Sequence, residues 1–305
     1  MTDPHIATAA QIIEGAHATR PTVKTFFDED TFTATHVVAD PATRKAAIID
    51  SVLDFDPASG RTSCTSADAV IAYVKAEGLE VEWLLETHAH ADHLSAAPYL
   101  KERLDGKLAI GKDILTVQAV FGKIFNEGTR FARDGSQFDH LFGDGDRFQL
   151  GAIEAVALHV PGHTPADMAY VIGDAAFIGD TLFMPDYGTA RADFPGGDAR
   201  TLFRSIRRLL TLPDATRLFL CHDYKAPGRD AFVWETTVGD ERNANVHVHE
   251  GVEEDAFVTM RRDRDATLGM PRLILPSIQV NMRGGNLPEP EENGTRYLKL
   301  PLNSL

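Results

Sequence analysis

The segment Thr87–His93, THAHADH, holds three histidines and an aspartate within six consecutive positions. Imidazole and carboxylate together are the side chains of borderline metal ions. A fold for this chain therefore has to carry the segment on a rigid frame and shield it from bulk water. The residues just before it narrow the choice. Val81–Leu85, VEWLL, is a short apolar run of strand type, and the cluster begins two residues later. A predicted helix, Leu94–Leu104, follows. Open α/β sheets bind their ligands in this position, beyond the carboxyl ends of the strands.

The same theme recurs three times. Ile153–His159 reads as a strand that runs into PGHT. Met168–Ile172 and Ala175–Ile178 form a predicted hairpin about Gly173 and Asp174 that ends at GDT. Arg217–Cys221 is a predicted strand that ends at HDY. Upstream, Val23–Phe27 and Phe32–Val38 flank DEDT as a hairpin, and Ala46–Asp50 follows the turn DPATR. Ser66 is the expected cap of a helix to about Lys75, with Val70, Ile71 and Val74 as its apolar stripe and Gly78 as its stop. Thr201–Leu210 carries Leu202, Ile206, Leu209 and Leu210 on one helical face. Beyond Tyr224 the pattern weakens to Val246–Glu250, a helical Glu253–Asp265 and a Pro/Gly/Asn-rich tail expected to cover one side of the sheet. The organisation expected is a lead at 1–22, a catalytic domain at 23–245 and an extension at 246–305 packed on that domain.

The polar residues at these strand ends are His88, His90, Asp92, His93, His163, Asp180 and His222. They suffice for two adjacent metal sites bridged by one carboxylate, or for one site whose remaining groups orient the ligands. The other histidines lack such company. His5, His17, His36, His140 and His159 read as surface or satisfied strand residues. His247 and His249 repeat the HxH spacing without a ligand-rich partner segment.

Composition limits the partners. Of 305 residues 43% are apolar, enough for a sizeable core. Asp and Glu outnumber Lys and Arg by 45 to 30, a formal charge of −15, which repels nucleic acid and anionic lipid. No nucleic-acid or membrane partner is expected, and an anionic substrate needs local cations. MTDPHIATAAQIIEGAH lacks the basic start of a signal peptide, and no window reaches the ~18 apolar residues of a membrane span. Cys64 and Cys221 are far apart, in no CxxC pattern, and read as small buried hydrophobes in a reducing cytoplasm.

HxHxDH, PGHT, GDT and HDY in this order resemble the metallo-β-lactamase superfamily over roughly Val23–Tyr224. That resemblance implies an α/β fold of the αβ/βα sandwich type, two mixed sheets flanked by helices. The segment GDTLFMPDYGTARADFPGGDARTLFRSIRRLL, with HVHEGVEEDAF and LILPSIQVNMRGGNLPEP in the tail, is similar to bacterial persulfide dioxygenases. This second resemblance implies one Fe(II) per chain on His88, His163 and Asp180, with His90, Asp92, His93 and His222 around them. It implies oxidation of glutathione persulfide by O2 to sulfite and glutathione, in a bacterial cytoplasm. It also places Arg191 and Tyr224 in the substrate pocket. Lys225 and Arg229 join them by position and charge, while Asp193 pairs with Arg191 or touches substrate. The alternative is a glyoxalase II-like thioester hydrolase with two zincs. There His88, His90 and His163 hold one metal, Asp92, His93 and His222 the other, and Asp180 bridges. The motifs leave both open. Ala192 stands where many similar bacterial sequences carry Cys, which removes a thiol from that position. The lead and the tail offer surfaces for a homodimer.

Overall fold

Thr33–Ala39, Met168–Ile172 and Ala175–Phe177 are buried at every position. Strands of that kind need cover on both faces. The computed structural model, which describes residues 3–16 and 20–304, supplies it with four layers. His17 lies outside the described residues.

The first sheet runs in the order Thr22–Asp28, Thr33–Ala39, Lys45–Ile49, Glu80–Leu85, Lys107–Gly111 and His140–Phe142. Its first three strands are antiparallel and the rest pair in parallel. The second sheet runs Arg147–Leu150, Ile153–His159, Met168–Ile172, Ala175–Phe177, Arg217–Phe219 and Glu235–Thr237. It is antiparallel apart from the parallel pair of Ala175–Phe177 and Arg217–Phe219. Ile49, Leu85 and Phe142 of the first sheet pack on Tyr170, Phe177 and Phe219 of the second. The outer face of the first sheet lies under helices Thr65–Ala76, Ala97–Leu104, Ile114–Ile124 and Ile274–Asn281. The outer face of the second lies under Pro4–Gly15, Ala199–Leu209, Val238–Ala244 and Glu254–Asp265. The layering is the αβ/βα sandwich expected from the motifs.

Several elements depart from the sequence expectation, each for a local reason. The helix expected from Leu94 starts at Ala97, because Leu94–Ser95 pairs with Val52–Asp56 in a small third sheet with Arg61–Ser63. Ser66 does not cap its helix. Cys64 holds the cap position, while the Ser66 amide and hydroxyl donate to the Asp54 carboxylate at 3.2 and 2.6 Å. Pro4–Gly15 is a helix that the lead was not expected to contain. Asp3 caps it by accepting from the His5 and Ile6 amides at 2.9 and 3.3 Å. The tail does not cover one side only. Phe257 and Val258 pack in the layer over the second sheet, and Ile274 and Ile278 in the layer over the first. Among the described residues no helix is long and apolar enough to cross a membrane.

Candidate metal centre

Each strand that ends in a polar motif delivers it to the same end of the sandwich. His88 follows Glu80–Leu85 of the first sheet. His163, Asp180 and His222 follow Ile153–His159, Ala175–Phe177 and Arg217–Phe219 of the second. An isolated bridge between Thr33 and His222, with the Ala34 amide donating to the Cys221 carbonyl at 2.7 Å, closes the two sheets over this end. Two glycines let the loops come together. Gly162 of PGHT has φ +144°, and a Cβ there would run into the backbone of Leu202. Gly179 of GDT has φ +52°, and its Cβ would lie 2.6 Å from the Thr87 hydroxyl.

Leaving aside the sets that include Cys221, the ligating atoms fall into two groups among the described residues. His88, His163 and Asp180 form one, with all three atoms within 4.8 Å of one another. His90, Asp92, His93 and His222 form the other under the same limit. Asp180 stands between them, 3.6 Å from His163 Nε2 and 3.4 Å from His222 Nε2.

Hydrogen bonds decide which nitrogen each ring presents. Thr87 donates its hydroxyl to Asp50 at 2.8 Å, so it accepts from His88 Nδ1 at 3.0 Å. His163 Nδ1 faces the Arg191 carbonyl at 2.8 Å, and His222 Nδ1 the Phe32 carbonyl at 3.0 Å; both must donate. His93 Nδ1 lies 3.2 Å from the Asp92 carboxylate. All four rings therefore turn Nε2 inward, the nitrogen a metal would take. Burial, followed by the neighbouring His90, holds His88 well below the usual imidazole range and keeps it neutral.

His90 is oriented the other way. Its Nε2 lies 2.9 Å from Asp50 and 3.3 Å from Glu86, two buried carboxylates. Burial opposes charge on this ring, but Asp50 and its hydrogen bond outweigh that and hold His90 well above the usual range. Asp50 itself ends the strand Lys45–Ile49 in a left-handed conformation, φ +53°, and accepts from the Thr87 amide as well.

These residues fit a metal by a direct test. His88 Nε2, His90 Nδ1, His93 Nε2, His222 Nε2 and Asp180 Oδ1 are buried without any hydrogen-bond partner. Buried polar atoms are rarely left unpaired, and metal binding among these groups would satisfy them. The remaining histidines behave as ordinary residues. His36 is buried, donates from Nε2 to the Leu220 carbonyl at 2.9 Å and is pushed down to about 4 by burial. His247 accepts from the Thr189 amide at 3.1 Å. His159 donates to the Pro165 carbonyl at 2.9 Å.

A cleft of about 360 Å³ opens over His163, Asp180 and Asp92. Phe32, Phe183, Tyr187 and Phe194 give it an apolar wall. Arg191 and Tyr224 line it as expected, but Arg191 is spent on Asp193 at 2.6 Å and the Gly269 carbonyl at 2.7 Å. Lys225 and Arg229 lie elsewhere. Lys225 sits 4.0 Å over the Phe232 ring, and Arg229 is bound by Asp186 and Asp223. The cleft's other cations come from the tail: Arg261, Arg264 and Arg272. Arg261 is buried and paired with Asp265 at 2.7 Å, whereas no ion pair engages Arg264 or Arg272 among the described residues. Cys221 is buried beside His90 and Asp50, and also beside Asp180 and His222.

Sequence reasoning missed Asp50, Glu86, Thr33 and the tail arginines. Asp50 was within reach, since AIID is another strand with an acid at its end. The arginines lie far from every motif and carried no signal.

Comparison with known proteins agrees with this geometry. The metallo-beta-lactamase superfamily model matches residues 30–222. A probable metallo-hydrolase of Burkholderia pseudomallei is 60% identical over 294 residues, 93% of this chain and 100% of the relative. Glyoxylase B2 of Dictyostelium discoideum is 47% identical over 93% of this chain and 97% of its own length. The human mitochondrial persulfide dioxygenase ETHE1 is 29% identical over 86% of this chain and 88% of its own. The crystal structure of ETHE1 from Myxococcus xanthus superposes with a TM-score of 0.69 at 28% identity, over 87% of this chain and 100% of that one. By its motifs, its layering and this match, the chain belongs to the metallo-β-lactamase superfamily.

Proposed function

We propose that this enzyme is a persulfide dioxygenase with one Fe(II) per chain, and that it converts glutathione persulfide, O2 and water to glutathione and sulfite. The observation that carries this reading is the grouping of ligating atoms. His88, His163 and Asp180 bring their ligating atoms within 4.8 Å of one another, a complete set for one Fe(II), while His90, whose ring stands 4.1 Å from that of His88, is held through Nε2 by Asp50 and Glu86. The likeness to persulfide dioxygenase over most of the chain supports it. Two imidazoles and a carboxylate on one face of Fe(II) leave adjacent open positions for a soft persulfide sulfur and for O2.

The chain's own residues do the rest. Thr87 and the Arg191 carbonyl set the two imidazole planes. Phe183, Tyr187 and Phe194 exclude water from the cleft. Arg264 and Arg272 are the free cations for the two carboxylates of glutathione in a protein that is otherwise anionic. A persulfide is more acidic than its thiol, so no base is needed to ionise it.

Thioester hydrolysis is the second reading. It is favoured by the glyoxylase relative and by the unpartnered atoms of His93 and His222. One experiment separates the two. Protein purified with Fe(II) under anaerobic conditions is assayed for iron and zinc per chain, then given glutathione persulfide in an oxygen electrode. About one iron, O2 uptake and sulfite are expected, and His163→Ala should abolish iron binding and uptake together. Two zincs, no uptake and hydrolysis of S-lactoylglutathione establish the hydrolase instead.

A further inference from the structure

The histidine loop has no sheet or helix of its own to hold it. Between Glu80–Leu85 and Leu94–Ser95 the chain is irregular, yet Thr87, His88, His90 and His93 are all buried. Carbonyls in such a loop need partners, because an unpaired buried peptide group costs about as much as a lost hydrogen bond. Two of them find the same partner, and it is 191 and 188 residues away in the chain. The Asn281 amide nitrogen donates to the His90 carbonyl at 2.8 Å and to the His93 carbonyl at 2.8 Å. Its amide oxygen accepts from the Ser95 amide at 2.8 Å. Two carbonyls and one N–H around the side chain admit only this orientation of the amide. Asn281 is buried, and each hydrogen and oxygen of its side-chain amide is used.

The contact continues on both sides. Ser95 passes its hydroxyl to Glu86 at 2.6 Å, and Glu86 faces His90 Nε2. Gly285, at φ +83°, packs so closely that a Cβ there would lie 2.9 Å from the Ser95 carbonyl. Gln118 donates to the Met282 carbonyl at 2.9 Å and ties the end of the helix to the first layer. The helix Ile274–Asn281 is thereby docked on the loop by side chain and backbone together.

We infer that Asn281 is a positioning residue for the metal centre: it clamps the backbone at both ends of the His90–His93 segment and so sets the three side chains that the segment contributes. The clamped peptide planes are His90–Ala91 and His93–Leu94, so Asp92 lies between two fixed points and His93 and His90 adjoin them. A shift of the clamp moves Asp92 relative to His222 and His90 relative to His88, and with them the frame around Asp180 and the metal. The inference rests on the metal reading of this loop, not on persulfide oxidation.

The test uses Co(II), whose visible bands report the ligand field whatever the reaction. Asn281→Asp keeps the shape and the acceptor for Ser95 but loses both donors and sets a charge against two carbonyls. Asn281→Ala removes all three bonds without adding charge. Gln279→Ala is the control on the same helix, since Gln279 is also buried but bonds the Lys299 backbone at 2.8 and 3.0 Å instead. Both Asn281 variants are expected to bind Co(II) 10- to 100-fold more weakly than wild type, with altered bands. Gln279→Ala is expected to lose thermal stability but keep wild-type affinity and spectrum. If either folded Asn281 variant keeps both, or if Gln279→Ala loses affinity to the same extent, the inference fails. Should Asn281→Asp not fold, Asn281→Ala is read by the same two outcomes. With one metal on His88, His163 and Asp180 the segment acts through His90 beside His88 and Asp92 beside His222, and with two metals its side chains are ligands themselves. The direction of the expected change is the same in both, so failure of the persulfide reading leaves this inference standing.

Discussion

At the scale of single residues, orientation matters more than identity. Five histidines occupy the centre, but His90 alone turns Nε2 outward to Asp50 and Glu86. Nothing in the spelling HxHxDH distinguishes it from His88 or His93. Charge follows the same rule. Arg191, Arg229 and Arg261 are bound to carboxylates, whereas Arg264 and Arg272 face the cleft free of them. A free guanidinium that meets a carboxylate contributes ~1.5–3 kcal/mol. Arg264→Ala and Arg272→Ala are each expected to raise KM for glutathione persulfide by about tenfold or more, with kcat little changed, because binding to a remote carboxylate is equal in ground and transition states. Lys225→Ala should leave both constants unchanged, since that amine sits over Phe232. Steady-state O2 uptake measures all three.

At the scale of elements, the strand ends were legible and the helices less so. An apolar run that stops at PGHT, GDT or HDY is readable because the burial period and the turn residues coincide. The start of Ala97–Leu104 was not readable, since Leu94 and Ser95 fit a helix as well as a strand, and only pairing with Val52–Asp56 decides. The helix Ala199–Leu209 shows how one element supports the site. Asp198 caps it by accepting from the Thr201 amide at 2.8 Å, and Leu202 packs against Gly162 of PGHT. Asp198→Ala is expected to cost about 1 kcal/mol in denaturant unfolding with metal content unchanged. Gly162→Ala is different, because a methyl at φ +144° meets backbone rather than a movable side chain. It should cost about 1–3 kcal/mol and also reduce bound metal per chain, since the loop that carries His163 has to move.

At the scale of the whole molecule, one buried carboxylic acid links stability to pH. Burial pushes Glu241 up to about 8, against the opposing hydrogen bond from Asn245. In the unfolded chain the group titrates near its ordinary 4.5. Below that value both states hold the proton and no pH dependence arises from Glu241. Between about 4.5 and 8 only the folded state keeps the proton, so stability falls as pH rises; above about 8 the fall levels off. Glu241→Gln, which needs no proton, is expected to flatten that slope when thermal unfolding is followed across this range.

The sequence by itself determined the sandwich, the end of it that binds metal, and the set of side chains gathered there. These follow from strand periodicity and from polar motifs at strand ends, which are local properties. Only the tertiary structure decided that His90 turns Nε2 to Asp50 and Glu86, that the tail divides between two layers, and that Asn281 and the tail arginines reach the centre. Asn281 lies in an ordinary apolar helix, and Arg264 and Arg272 look like surface cations. What they touch depends on which surfaces meet when the layers close, and contacts between distant segments leave no periodic trace in the chain.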